Sequence, residues 1–141
     1  MDDFKTALDK LTAGFKTSHT KTITQADIGL FASISGDFNP VHMSQEYAEK
    51  TIFGGRIAHG VISLGLLSAA MAKLPGLVIF VSQSVKFIKP VRIGDTITAT
   101  AEVMEIEKER GIVRLKNTCT NQDGEVVIAG EARCRLYPPP G

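Results

Sequence analysis

The hydrophobic pattern of the chain is dominated by one apolar run. From Val61 to Ala72 there is no ionisable side chain, and apolar residues fall on every side of a helical projection, so a helix here has no face suited to water. A helix over 60–73 would extend about 20 Å, short of the roughly 30 Å hydrocarbon core of a bilayer. The pattern therefore predicts a helix enclosed by protein and ended by Pro75 and Gly76.

The segments around this run show the alternation and the β-branched residues that are typical of strands. Short turns between the later segments, among them Asp123-Gly124, imply antiparallel neighbours. Tyr137 and the prolines after it are predicted to lie outside the sheet, because proline supplies no ladder donor. The five predicted strands are 16–23, 77–89, 96–107, 112–122 and 125–136.

Shorter helices are predicted at 3–11, 25–34 and 45–50 from apolar spacing and capping residues. Gly36 and Pro40 are expected to end the second of these and to leave a tight loop. Together the elements predict a single α+β domain over residues 1–141, in which a five-stranded antiparallel sheet wraps a long central helix.

The charge and hydrophobic content of the chain exclude several classes of protein. The 16 Lys and Arg residues against 15 Asp and Glu give a net charge of +1, which provides no general field for nucleic acid or an anionic membrane. A hydrophobic content of 43% excludes a disordered chain. The acidic start lacks an apolar signal region, so we expect a cytoplasmic location.

The two cysteines are predicted to be reduced. A two-residue turn at Asp123-Gly124 places Cys119 opposite Ile128 and Cys134 opposite Val113. The two sulfurs are then about 20 Å apart, far beyond the reach of a disulfide.

The candidate chemistry lies in the loop before residue 45. The turn at Pro40 can bring Asp37 and His42 to one spot, where a carboxylate and an imidazole could hold a water molecule between them. The Asn39 side chain can bond the backbone and fix the turn. The same residues also suit a plain Asx-turn loop without catalysis. A metal site with His59 is a further alternative, although the spacing matches no standard ligand pattern.

Several fixed residues identify a family resemblance. The run Phe31-Ala-Ser-Ile-Ser-Gly-Asp-Phe-Asn-Pro-Val-His42, followed by Ala48, resembles the hydratase-2 motif of the MaoC-like (R)-specific enoyl-CoA hydratases and dehydratases. The likeness extends to Ile57-Ala-His-Gly60 and to two later segments, Gln83-Ser-Val-Lys-Phe and Pro90-Val-x-x-Gly-Asp95. The resemblance implies a hot-dog fold and a homodimer or a multiple of dimers, with acyl-thioester sites at the interface.

The resemblance also implies roles for individual residues. Asp37 and His42 correspond to the catalytic pair, and the Gly60 amide at the start of the buried helix would meet the negative charge on the thioester oxygen. From their positions in the sequence, Asn39 would fix the turn beside the site, and His59 would either bond the backbone at the helix start or shape the mouth of the site. Ser68, eight residues after Gly60, could support Asp37 or bond back to its own helix. Residues with weaker expectations are Met71 and Phe80 for the acyl chain, and Arg56, Lys86, Lys89 and Arg92 for the phosphates of coenzyme A.

The expected reaction is the (R)-specific addition of water to a trans-2-enoyl-CoA, or its reverse, without a metal or a separate cofactor, since coenzyme A is part of the substrate. Alternatives are a 3-hydroxyacyl-[acyl-carrier-protein] dehydratase, an acyl-CoA thioesterase and a non-catalytic acyl-thioester-binding module. No nucleic-acid or membrane partner is expected.

Overall fold

The computed structural model describes residues 2–141 and contains one antiparallel sheet. The helices are α1 (Asp2–Lys10), α2 (Gln25–Ser35), α3 (Pro40–Met43), α4 (Gln45–Glu49) and α5 (Gly60–Met71). The strands are β1 (Lys16–Thr22), β2 (Leu77–Phe87), β3 (Thr96–Glu107), β4 (Ile112–Thr120) and β5 (Val126–Tyr137). The sheet order is β1-β3-β4-β5-β2, so the predicted hot-dog arrangement of five strands around a helix is confirmed.

The core lies between α5 and the inner face of the sheet. Alternate residues of the central strands are fully buried, as Val103 on β3 and Leu115 on β4 illustrate, and they face Leu67 and Met71 of α5. This alternation is the expected pattern for a sheet with one face on the core and one face in water. Among the described residues, no helix is long and apolar enough to span a bilayer.

The sheet does not enclose α5 on all sides. Val61 is 47% exposed, and Gly65, Ser68 and Ala72 follow it along one exposed face of the helix. The single chain therefore leaves one face of α5 open, because a curved sheet covers only the side of the helix that it faces. The exposed face carries no charge.

Strand β2 lies at one edge of the sheet and is also apolar and open. Leu77, Ile79, Phe80 and Val81 are between 39% and 57% exposed, and a register shift separates Phe80 from Ser82. An edge strand presents unpaired backbone groups on one side. Apolar side chains and unpaired backbone groups thus occur together on this edge.

The β4–β5 hairpin differs from its prediction in two features whose effects on the strand register cancel. The Asn121 amide donates to the Glu125 carbonyl at 2.9 Å, so the turn contains three residues and not two. One extra residue on β5, Val127, then forms a bulge between the pairs Thr120–Val126 and Cys119–Ile128. The extra turn residue and the bulge cancel, and the predicted partners of both cysteines are correct.

Two further boundaries were wrong. Tyr137 pairs with Leu77 and ends β5, because its own amide is available although those of the following prolines are not. Residues 40–43 form the short helix α3 instead of a loop. Pro40 occupies the first turn of α3, where a missing amide costs nothing, and Asn39 caps it.

The thiols of Cys119 and Cys134 should be unreactive in the folded protein. Both are free and buried, and burial raises the pKa of Cys119 to about 12 and that of Cys134 to about 11. Since the thiolate is the reactive form, we expect no modification by a thiol reagent at pH 8 and modification of two thiols per chain in denaturant. Rapid native labelling of either cysteine, located by mass spectrometry, would contradict this core.

Candidate active site

The loop after α2 is built from short polar contacts. Gly36 ends α2 in the left-handed region with φ of 79°, and turns the chain toward Asp37. A carboxylate oxygen of Asp37 accepts from the Asn39 amide at 3.1 Å, and the Asn39 side-chain oxygen accepts from the Val41 amide at 3.3 Å. These bonds place the Asp37 carboxylate next to the start of α3, which carries His42.

The His42 ring is held in one tautomer. It is buried, and its Nδ1 lies 2.8 Å from the Ile57 carbonyl oxygen. A carbonyl can only accept, so Nδ1 carries the proton and donates it to this bond. The neutral ring therefore offers Nε2 as a hydrogen-bond acceptor.

His59 contacts both residues of the pair. Its ring is 2% exposed, its Nε2 donates to the Asp37 carbonyl oxygen at 2.9 Å, and its face lies against the His42 ring with centroids 4.0 Å apart. Phe31 covers another side of the same ring at 4.7 Å. Within residues 2–141, His59 Nδ1 has no hydrogen-bond partner. His59 thus fixes the Asp37 backbone and the plane of His42 together.

Donor atoms of Asp37, His42 and His59 lie within 4.8 Å of one another. This separation is within reach of a shared metal ion, but the two imidazoles are tilted by only 32° and lie nearly face to face. Imidazole lone pairs lie in the ring planes, so stacked rings do not direct them at one point. The arrangement suits a water molecule between the carboxylate and His42 better than a metal ion.

A cavity of about 440 Å³ opens beside these residues. Asp37, His42, His59 and Gly60 line it. Apolar side chains line much of it, including Ile57, Ala58, Phe87, Val91 and Ile128. A cavity with a few polar groups among apolar walls is the usual form of a small-molecule site.

Gly60 places the first turn of α5 against this cavity. The first amides of a helix have no intrahelical acceptor, and His59 provides no side-chain cap for them. A Cβ atom at Gly60 would lie 2.5 Å from the Phe87 ring, so the lack of a side chain lets this ring pack closely against the start of α5. The cavity therefore has an amide donor beside one of its apolar walls.

Seven of the predicted residues do not line the cavity: Asn39, Arg56, Ser68, Met71, Phe80, Lys86 and Arg92. Ser68 is exposed on α5, two turns beyond Gly60, and Ser63 lines the cavity instead. Met71 is a core residue in contact with Asn117 and Cys134, and Phe80 is half-exposed on the edge strand. The helical rise carries Ser68 and Met71 away from the site, which spacing from Gly60 alone did not take into account.

The four predicted cations have different surroundings. Lys89 lines the cavity and forms an ion pair with Glu125, which lowers the pKa of that carboxyl. Arg56 Nε donates to the His42 carbonyl at 2.6 Å, and Arg92 donates to the Gly55 carbonyl at 3.2 Å. Lys86 is exposed on β2 and does not line the cavity.

Two contacts in the site were not found from the sequence. The Ile57 carbonyl, which fixes the His42 tautomer, lies 15 residues away, and Phe31, which packs on His59, lies 28 residues away. Both residues belong to the segments that carry the family resemblance, which was the available signal. Their partners depend on the tertiary fold and could not be read from local spacing.

The fold and the site define a hot-dog protein with an acid–imidazole pair beside the start of its central helix. The MaoC-like domain model matches residues 7–123, and the chain belongs to this family. The recognition made from the motif is therefore confirmed.

Named relatives agree with this assignment. The chain is 50% identical over 121 residues to an (R)-specific enoyl-CoA hydratase of Rhodospirillum rubrum, covering 84% of this chain and 83% of the relative. It is 44% identical over 130 residues to a 3-hydroxybutyryl-CoA dehydratase of Methylorubrum extorquens, covering 91% and 82%. The solved structure of an (R)-hydratase of Aeromonas caviae, described as involved in PHA biosynthesis, superposes with a TM-score of 0.86 at 32% identity, covering 91% of this chain and 98% of that one.

Proposed function

We propose that the protein is a hydro-lyase that adds water to a trans-2-enoyl-CoA to give an (R)-3-hydroxyacyl-CoA, and that catalyses the reverse dehydration. The observation that carries the proposal is the placement of Asp37 and His42 on one cavity that Gly60, at the start of α5, also lines. The names of the relatives support the enoyl-CoA substrate and the (R) product.

The two acceptors can hold the reacting water. The Asp37 carboxylate accepts a hydrogen bond from the water, and His42 Nε2 accepts a second one because its Nδ1 is committed to Ile57. As the water oxygen bonds to C3 of the enoyl group, one water proton passes to the pair and is delivered from the pair to C2, while the other stays on the new hydroxyl group. Dehydration follows the same path in reverse, so atoms and charge balance in both directions.

The thioester oxygen needs a donor during this step. Addition at C3 moves electron density from the double bond to the thioester carbonyl, and an anion develops there. The Gly60 amide at the start of α5 supplies a hydrogen bond in a region where the helix dipole also favours negative charge. A thioester carbonyl bound at Gly60 would leave the acyl chain to extend along the apolar walls of the cavity.

Incubation with crotonyl-CoA tests the function directly. We expect the enoyl absorbance to fall without release of free coenzyme A thiol, and chiral analysis of the product to give the (R) isomer. Thiol release would indicate a thioesterase, and no change with any acyl length would indicate a binding module. Activity on the matching acyl-carrier-protein thioester but not on the coenzyme A thioester would reassign the carrier.

We also propose a homodimer as the working form. The uncharged face of α5, the apolar edge strand β2 and the exposed Asp37 at the site would all be covered by a second copy. Edge strands of two protomers can pair through their free backbone groups and bury the apolar side chains. Burial of these surfaces would also keep bulk water from the reacting carbon atoms.

Replacing Ala72 with Glu should weaken this association, because the charge would have to be buried in the interface. We expect the wild type to sediment at twice the 15.2 kDa chain mass and Ala72→Glu to shift toward the chain mass. Ala26→Glu makes the same change at an exposed position on α2 and is the control. A wild-type protein that remains at the chain mass at high concentration would contradict the dimer.

A further inference from the structure

The short helix that carries His42 is stabilised at its end by one neighbouring segment. The last carbonyls of a helix lack intrahelical donors and need partners from elsewhere. In α3, the Val41 carbonyl accepts from the Ile57 amide at 3.2 Å, and the His42 carbonyl accepts from Arg56 Nε at 2.6 Å. Two consecutive residues, 56 and 57, therefore satisfy two consecutive carbonyls of α3.

The same two residues also hold the His42 side chain. The Ile57 carbonyl accepts from His42 Nδ1 at 2.8 Å, so His42 is bound through its ring by residue 57 and through its backbone by residue 56. Two attachment points at opposite ends of a residue determine where its free atom, Nε2, is directed. Of the three bonds from this segment, only the bond from Arg56 is made by a side chain.

The segment is itself anchored to the sheet side of the molecule. Ile57 forms an isolated antiparallel bridge with Arg92, and the Ala58 amide donates to the Val91 carbonyl at 2.7 Å. Residues 56–58 thus link α3 to the β2–β3 connection, so the position of α3 depends on the position of that connection. Arg56 is the link in this chain of contacts that can be changed without altering the backbone.

The charge of Arg56 is engaged by a carbonyl and by no carboxylate. Within residues 2–141, no Asp or Glu oxygen lies within 4.0 Å of its guanidinium, although the short bond to His42 has the length of a charge-assisted hydrogen bond. We propose that Arg56 is a positioning residue for His42, and that this role replaces the coenzyme A phosphate contact expected from the sequence.

The inference rests on the proposed function, since it requires His42 to act on the substrate water. Without the Arg56 bond, the end of α3 loses its charge-assisted partner and His42 Nε2 can move relative to Asp37. A displacement of about 1 Å at a reacting group can cost about 10²-fold in rate. The loss should appear in kcat, because Arg56 Nε is bound to the protein and not to the substrate.

Glutamine gives a matched variant, because its Nε2 stands at the same position along the side chain as Nε of arginine. Arg56→Gln keeps a donor at that atom and removes the charge, and Arg56→Met removes both. We expect Arg56→Met to lower kcat on crotonyl-CoA by about 10- to 100-fold with KM changed by less than about threefold. Arg56→Gln should retain kcat within about threefold of wild type.

If Arg56 instead bound a phosphate of coenzyme A, its variants would change KM and not kcat. Both neutral variants would then raise KM, and Arg56→Lys would retain it, because lysine keeps the charge. Arg110 is the control, since it is an exposed arginine in the turn between β3 and β4 that binds Glu107 and does not line the cavity. Arg110→Met should leave kcat within about threefold of wild type.

A measurement without turnover separates this inference from the proposed function. Long-range proton–nitrogen NMR spectra report the tautomer of each of the three histidines. We expect His42 to hold its proton on Nδ1 in all three proteins, because the Ile57 carbonyl fixes it, and its ring signals to shift in Arg56→Met, because the ring loses its fixed position. Unchanged His42 ring signals or an unchanged kcat in Arg56→Met would overturn the positioning role, whereas an inactive wild type would overturn the function instead.

Discussion

Replacing Asp37 with Asn should lower kcat for hydration of crotonyl-CoA by about 10²- to 10⁴-fold, the usual contribution of a general base. Asparagine has the same shape and keeps an oxygen that can accept from the Asn39 amide, so the loop should persist. It cannot take a proton from water at neutral pH. Initial rates of enoyl absorbance loss measure the effect, and an unchanged melting temperature shows that the fold is intact.

Asp123→Asn is the matched control for this experiment. It makes the same change of charge in the exposed turn between β4 and β5, at a residue that does not line the cavity. We expect wild-type rates from it. If Asp37→Asn retained more than about a tenth of the wild-type kcat, Asp37 could not be the general base, and His42 would have to take the water proton.

Replacing Gly130 with Ala should destabilise the fold by about 3 kcal/mol, at the upper end of the usual cost of overpacking. A Cβ atom at Gly130 would lie 1.8 Å from the Ser84 carbonyl oxygen, which belongs to the backbone of the paired strand β2. Backbone cannot rotate away as a side chain can, so β2 and β5 would have to separate. The midpoint of urea unfolding measures the loss.

Gly29→Ala is the control for the second prediction. Gly29 lies in α2, and a Cβ atom there would meet no heavy atom within 4 Å. Alanine should therefore stabilise the helix by about 0.5–1 kcal/mol through its better helix propensity. Equal stabilities of Gly130→Ala and the wild type would show that β2 can adjust to the added methyl group.

The fold was predictable because most elements are defined by local patterns. The uncharged run over 61–72 predicted α5, and alternation predicted all five strands to within two residues at each end. The errors occur where local signals compete. Pro40 was interpreted only as a signal that ends a helix, but it also begins α3. The Asp123-Gly124 pair predicted a two-residue turn, but the turn contains three residues.

The candidate site was predictable to a smaller extent. A loop turn sufficed to bring Asp37 and His42 together, since both lie within one short segment. The contacts that orient them come from residues 56–59, which local spacing does not place. Ser68 was assigned from its spacing after Gly60, and in the single chain it is exposed to solvent.

The bulge at Val127 has a practical consequence for the tip of the β4–β5 hairpin. The bulge returns β5 to its register with β4 at the pair Cys119–Ile128. The position of Ile128, which lines the cavity, therefore does not depend on the length of the turn before it. A reporter peptide spliced between Asp123 and Gly124 should leave turnover intact. The hairpin tip is therefore a suitable attachment point for tethering the protein to a surface.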